Sequence, residues 1–220
     1  MNARKKTVEV DNAADAEPIN HRTIVGRRRR AATETKIIRV AIQIFAERGP
    51  DTPVIEDFIK AAGIARGTFY NYFKSTEELL QATSEWLREG LITLIDNEIK
   101  SLKSPAIRFG VGIRLWMKWA SANPSWSLFI ARIWNAEIYD RPFQDIRAGI
   151  RMKLFLVADA NVAWDVLSGA VRQSMFRIGE GGAGSRYCDS VVRMCLQALG
   201  VQADMAQEIM VVPLPDFSNL

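Results

Sequence analysis

The sequence predicts an all-α fold. Three observations carry that expectation. Apolar residues recur at three- and four-residue spacing over most of the chain. No stretch after Ser75 alternates with the period of two that a half-buried strand requires. Glycine and proline steps at Gly49-Pro50, Ser104-Pro105, Asn123-Pro124 and Gly200 cut the chain into lengths suited to helices. With 220 residues, 48% of them apolar, the chain can bury one large core or two small ones.

Residues 1–30 are polar, charged and without apolar period, and read as a disordered basic arm ending in Arg27, Arg28, Arg29 and Arg30. A first helix is expected from Thr33, as N-cap, to Arg48, with Ile37, Val40, Ala41, Ile44 and Phe45 on one face and Gly49-Pro50 as its stop. A second begins at Thr52, with Pro53 at the favoured first position, and ends at Gly63. A short third helix is expected over Arg66–Tyr72. Ser75-Thr76-Glu77-Glu78 is a capping box that opens a long helix reaching about Leu102. Its stripe is Leu79, Leu80, Thr83, Trp86, Leu87, Leu91, Leu94, Ile95 and Ile99. Further helices are expected from Ser104-Pro105 to Asn123, from Pro124, over Pro142–Val157, Ala160–Ile178 and Ser185–Leu199, and near Asp204.

Three helices whose last two are joined by a tight glycine turn make a helix-turn-helix. Charge points the same way. The chain carries net +4, but residues 1–74 hold +5 and the remainder −1, so the positive excess sits where a polyanion would be met. Within residues 33–79 the chain resembles the tetracycline-repressor-type (TetR) family of transcriptional regulators. The resemblance rests on Ala41 and Phe45, Ala62-Gly63-Ile64, Gly67-Thr68-Phe69-Tyr70, Tyr72-Phe73-Lys74-Ser75 and Glu78-Leu79. Two positions depart from the family pattern. Ala65 stands where a helix-capping serine is common, and Ile59 where a small alanine is common. The resemblance implies a three-helix DNA-binding domain over residues 31–76, followed by a helical effector-binding and dimerisation domain over 77–220.

In a helix-turn-helix the second helix enters the major groove, its N-terminal residues nearest the bases. Arg66 is then suited to a guanine edge and Asn71 to adenine. Gly67 lets the backbone approach closely. Thr68, Tyr70, Tyr72 and Lys74 offer donors for phosphates, and Tyr70 also has a ring to pack. Phe69 and Phe73, four apart, share an inward face. The four arginines are suited to a minor groove beside such a helix. Thr52, at the start of helix two, is a phosphate candidate or a plain cap.

Five of the six tryptophans follow the first long helix. The resemblance implies an effector pocket in that region, and Trp116, Trp119, Trp126 and Trp134 are its candidate lining, suited to a small hydrophobic or aromatic ligand. Leu167, Val171, Met175 and Ile178 mark one late stripe; Cys188, Val191 and Cys195 mark another. Both are open to two readings. They are buried inside one subunit or, as the resemblance implies, they form a four-helix interface in a homodimer, which a two-half-site DNA operator also favours.

Other classes find less support. The sole histidine, His21, lies in the arm, so no Ser-His or Cys-His pair is available in the folded region. No catalytic residue, metal-ligand cluster, dinucleotide glycine loop or cofactor site is expected. Cys188 and Cys195 share a helix face but are too far apart to bridge. They are expected as buried apolar residues in a reducing cytoplasm rather than as a redox sensor. No membrane span or signal-peptide core is expected. The remaining alternative is a helix-turn-helix protein governed by a protein partner, or with no small-molecule effector.

Overall fold

The computed structural model describes residues 21–134, 140–184 and 186–215. Among them are ten helices and no strand: α1 (His21–Arg48), α2 (Ile55–Ala62), α3 (Arg66–Tyr70), α4 (Thr76–Ile99), α5 (Pro105–Ala122), α6 (Pro124–Arg132), α7 (Asp140–Arg151), α8 (Ala160–Gly179), α9 (Tyr187–Ala198) and α10 (Ala203–Val211). The chain divides into two compact units, one up to Thr35 and one from Lys36 onward. No helix among the described residues is long and apolar enough to cross a membrane.

Helix α1 corrects the expectation of an unstructured arm. It begins at His21, so Arg27–Arg30 are exposed helical residues; the part of the arm before His21 lies outside the described residues. Thr33 is not an N-cap. Its hydroxyl donates back to the Arg29 carbonyl at 3.1 Å, a bond made inside a helix. Arginine, alanine, glutamate and lysine are all strong helix formers, and Gly26 is the single weak point between His21 and Arg48. Because Ile24 and Val25 are the only large apolar residues over 21–35, apolar periodicity could not reveal this stretch.

Helix α2 starts at Ile55, three residues later than expected. Val54 is its N-cap and has no capping side chain. The cap comes instead from inside the helix: the Asp57 carboxylate accepts the Val54 amide at 3.0 Å. That amide bond first, and then the Arg48 guanidinium 2.8 Å away, hold the Asp57 carboxyl below its ordinary value. Gly63 closes the helix at φ 59°, its amide bonding Lys60 O while the Ile64 amide reaches Ile59 O, both at 3.2 Å. This is a Schellman closure, and it needs a residue at ease with positive φ.

Helix α3 stops at Tyr70 rather than Tyr72. The next two amides bond carbonyls three residues back, Asn71 to Thr68 at 3.2 Å and Tyr72 to Phe69 at 2.9 Å, tightening the exit. Helix α4 is capped as expected by Ser75, whose Oγ accepts the Glu78 amide at 3.2 Å. Glu78 itself reaches back to the Lys74 amide at 2.6 Å, one residue before the cap.

Three phenylalanines weld the first helices together. Phe58 of α2 lies 5.1 Å from Phe45 of α1 and 6.5 Å from Phe69 of α3, and all three are fully buried. Phe45 also stacks on Phe129 of α6 at 5.9 Å. The boundary expected at residues 76–77 therefore falls within one packed unit. Helix α5 is the axis of the remainder. It contacts α4, α6, α7, α8, α9 and α10, and buries Leu115, Trp116, Met117 and Trp119.

Helix α7 ends at Arg151, six residues short of the expected Val157. The amides of Leu154 and Phe155 both turn back to the Gly149 carbonyl, and Phe155 folds over Gly149. A Cβ at Gly149 would lie 2.3 Å from Phe155 Cδ2, and Phe155 is itself buried. Gly149→Ala should therefore cost about 1–3 kcal/mol through overpacking. A thermal melt checks it, at about 2–4 °C per kcal/mol for a chain of this size.

Candidate functional site

Two places in the molecule concentrate chemistry. The first is the α2-turn-α3 unit. Phe69 and Phe73 of the predicted segment point inward, at 0% and 3% exposure. Arg66, Gly67, Asn71 and Lys74 are exposed, and Thr68 and Tyr72 are half-buried. Tyr70 is 43% exposed, with its ring edge-on to Phe69 at 5.9 Å. Arg66 Nη1 pairs with Glu56 Oε1 of α2 at 2.8 Å, and its guanidinium lies 5.9 Å from the Tyr70 ring centroid. Both partners of that ion pair are well exposed, so the contact orients Arg66 more than it stabilises the fold. Ala65 caps α3 without any side-chain bond, as its residue type dictates. Thr52 is exposed but lies two residues before the N-cap of α2, so it is not in that helix's first turn.

The second place is a cavity of about 270 Å³ between α4, α5, α7 and α8. Ile95, Ile99, Phe109, Ile113 and Trp116 line one side, and Trp134, Trp164, Leu167 and Val171 the other. Trp116 and Trp134 meet edge-to-face at 6.1 Å, and the Trp116 indole N–H donates to Met175 Sδ at 3.0 Å. The polar lining gathers around two ion pairs. Arg108 donates from Nε and Nη2 to Asp145 Oδ1, at 3.0 and 2.5 Å, and Arg141 Nε pairs with Asp96 Oδ1 at 2.6 Å. Burial pushes the Asp145 carboxyl above its ordinary value, and the Arg108 bonds oppose that shift.

Only half of the expected tryptophan lining is in the cavity. Trp116 and Trp134 are there; Trp119 and Trp126 are not. Those two form a separate cluster with Trp86, Trp126 lying 6.0 Å from Trp119 and 5.6 Å from Trp86. The Arg39 guanidinium sits about as far from two of these rings, 6.0 Å from Trp86 and 5.9 Å from Trp126. Sequence reasoning missed Trp164, Arg108, Asp145, Asp96 and Arg141. One signal was available: Arg108 interrupts the otherwise apolar Ile107–Phe109 stretch, and a cation there calls for a buried partner.

Residues 37–83 match the model of a domain family described as bacterial regulatory proteins, tetR family. The match contains all of α2 and α3 and every residue of the predicted motif. Residues 37–83 are a tetR-family domain. Its curated relatives include YvdT of Bacillus subtilis, an uncharacterized HTH-type transcriptional regulator, 42% identical over 65 residues. That alignment spans 30% of this chain and 31% of YvdT, so the likeness is one of the N-terminal domain. Among solved structures the chain is similar to RolR in complex with resorcinol, at 26% identity and TM-score 0.56, over 87% of this chain and 100% of that one. A TetR-like transcriptional regulator from Rhodococcus sp. RHA1 shares the fold, with TM-score 0.63 at 14% identity over 78% of this chain and 98% of that one.

The stripe expected to pair two subunits faces inward. Leu167 and Val171 line the cavity, and Met175 and Ile178 are buried within the single chain at 0% and 5% exposure. Cys195 is buried at 2% exposure, while Cys188 and Val191 are half-buried, with the Cys188 thiol directed at Met117 O, 3.6 Å away. The most apolar stripe of a helix goes to the nearest core, which here belongs to the same subunit. The opposite faces carry exposed Val162 and Val166 on α8 and Met194 on α9, at 59%, 59% and 64% exposure.

Burial pushes the Cys195 thiol up to about 11 and raises that of Cys188. Neither is a thiolate at neutral pH, and the thiolate is the reactive form. In the native protein at about pH 7.5, both thiols should react slowly with a thiol-specific chromogenic disulfide, and rapidly once unfolded in denaturant. A fast native thiol would restore the redox-sensor reading.

Proposed function

We propose that the chain is a DNA-binding transcriptional regulator that acts as a homodimer, and that a small effector in the α4–α5–α7–α8 cavity alters its affinity for an operator. The observation that carries this reading is the two-sided α3 segment. Phe69 and Phe73 anchor it from within, while Arg66, Gly67, Asn71 and Lys74 stand exposed together. An exposed guanidinium, an amide, an ammonium and a glycine that admits close approach are what a major groove and its phosphates require. The exposed helical arginines Arg27–Arg30 add sequence-independent attraction for the backbone.

Selecting genomic fragments on the immobilised protein, then measuring gel shifts on the enriched sequence, tests the reading. A preferred, two-fold-symmetric sequence is expected. Equal affinity for every duplex would overturn it.

Two-fold operators need two copies. We place the pairing surface on the exposed side of α8 and α9, at Val162, Val166 and Met194, in place of the inward stripe. Val166→Glu should then halve the mass seen by light scattering and weaken operator binding, with helical content unchanged.

Effector control is supported by the cavity itself and by RolR, which was solved with resorcinol. Coupling requires that ligand and operator prefer different arrangements of the same chain. The contacts that could carry it are those joining α1 to the rest of its unit: Phe45 on Phe129, and Arg39 beside Trp86 and Trp126. Repression by promoter occupancy, relieved by the effector, is the simplest form.

A further inference from the structure

The polar end of the cavity carries an unbalanced charge. Three carboxylates line it, Asp96, Asp140 and Asp145, against two guanidiniums, Arg108 and Arg141. Three less two leaves one negative charge in excess. Arg108 is fully committed. It donates from Nε and Nη2 to Asp145 Oδ1, and from Nη1 to the carbonyls of Leu102 and Lys103, each at 2.9 Å. Arg141 spends its Nε on Asp96 Oδ1 at 2.6 Å.

The acids keep acceptors in reserve. Asp145 is 4% exposed, yet both Arg108 bonds end on its Oδ1, and among the described residues no donor reaches its Oδ2. Asp96 is engaged only at Oδ1. Asp140, exposed at the start of α7, gives Oδ2 to Gln144 and keeps Oδ1. A buried, half-paired carboxylate at the cavity wall thus adds to the excess of charge.

Each ligand class meets a different reception. An anion would double the negative excess. A purely apolar ligand would strip water from Asp145 Oδ2 and leave a buried charged acceptor unpaired. A neutral donor would fill that acceptor but leave the excess in place. An ammonium carries three N–H donors and no acceptor, so it fills Oδ2 with a charge-assisted bond and brings the lining to neutrality. The walls suit it too. Trp116, Trp134 and Trp164 line the same cavity, and indole is the ring that attracts a cation most strongly. A cavity of about 150 Å³ holds benzene, so 270 Å³ has room for one ring and a short charged arm.

We propose that the cavity takes a small organic monocation, a protonated amine on an apolar body, with Asp145 Oδ2 accepting from its ammonium and the tryptophans receiving the rest. The inference deepens the reading of the cavity as an effector site and rests on it.

The test is titration calorimetry of the full chain at neutral pH, without DNA, against four compounds of one size: benzylammonium, benzyl alcohol, toluene and benzoate. Benzylammonium should bind at least about tenfold more tightly than each of the others, the discrimination expected of a hydrogen bond between charged groups. Asp145→Asn should remove that preference. Asp140→Asn, at an exposed position, should reduce it by about two- to fivefold. Ile113→Trp, which fills the cavity, should remove benzylammonium binding altogether. If Asp145→Asn does not fold, Asp140→Asn and the ranking on the unaltered chain decide. Any of the other three compounds matching benzylammonium overturns the proposal, as does no binding by any of the four. Benzylammonium binding that survives Ile113→Trp, or a preference unchanged in either aspartate variant, overturns it as well. Operator release in a gel shift is read separately. Benzylammonium binding with the expected ranking but without release would leave the ligand class standing and overturn the effector reading. Release by benzyl alcohol or benzoate, lost in Ile113→Trp, and none by benzylammonium would do the reverse.

Discussion

Phe58→Ala should lower the stability of the chain by about 3–5 kcal/mol, the usual cost of emptying a fully buried phenylalanine site. Phe58 is the middle ring of a three-helix stack, 5.1 Å from Phe45 and 6.5 Å from Phe69, and no solvent reaches it. Its ring neighbours sit on two other helices, α1 and α3, so the void cannot close by moving one side chain. A fall in Tm of about 6–20 °C is expected from circular dichroism, given about 2–4 °C per kcal/mol for a chain of this length. Operator binding should fall as well, because Phe69 loses the surface that fixes α3. A loss below about 1 kcal/mol would show that the stack is not what holds the recognition segment.

Arg66→Ala should weaken operator binding by about 1–3 kcal/mol and relax base preference at one position of each half-site. Lys74→Ala should weaken all sequences alike and reduce the slope of log affinity against log salt by about one. Arg66 begins paired with Glu56, but both side chains are well exposed, so solvent screening leaves the pair weaker than a bidentate base contact. Glu56→Gln should then leave sequence preference intact and raise affinity slightly. Gel shifts across a set of single-base operator variants, at three salt concentrations, separate these outcomes. If Arg66→Ala and Lys74→Ala both leave the profile unchanged, α3 is not the reading element.

What the sequence disclosed was local. Gly49-Pro50, Gly63 and Ser75 are punctuation marks whose meaning lies within four residues, and each behaves as its chemistry demands. The inward pair Phe69 and Phe73 was legible for the same reason. Helical spacing says which residues share a face, but not what covers that face. That is why Leu167, Val171, Met175 and Ile178 were readable as a stripe while their partner, the subunit's own interior, was not. The Arg108–Asp145 pair joins residues 37 apart on different helices, beyond any local signal. The N-terminal half of α1 was hidden by the opposite problem: it forms from intrinsic propensity, with no apolar face to announce it.

The division of the tryptophans into two groups gives the chain its own spectroscopy. Trp116, Trp134 and Trp164 line the cavity, so a bound aromatic ring would quench or shift their emission directly. Trp86, Trp119 and Trp126 lie outside that lining, packed together, with Arg39 of α1 near two of their indoles. Their coupled near-ultraviolet bands would change if α1, α4, α5 and α6 moved relative to one another. Ligand occupancy and the mechanical response to it could thus be timed separately in one unlabelled sample.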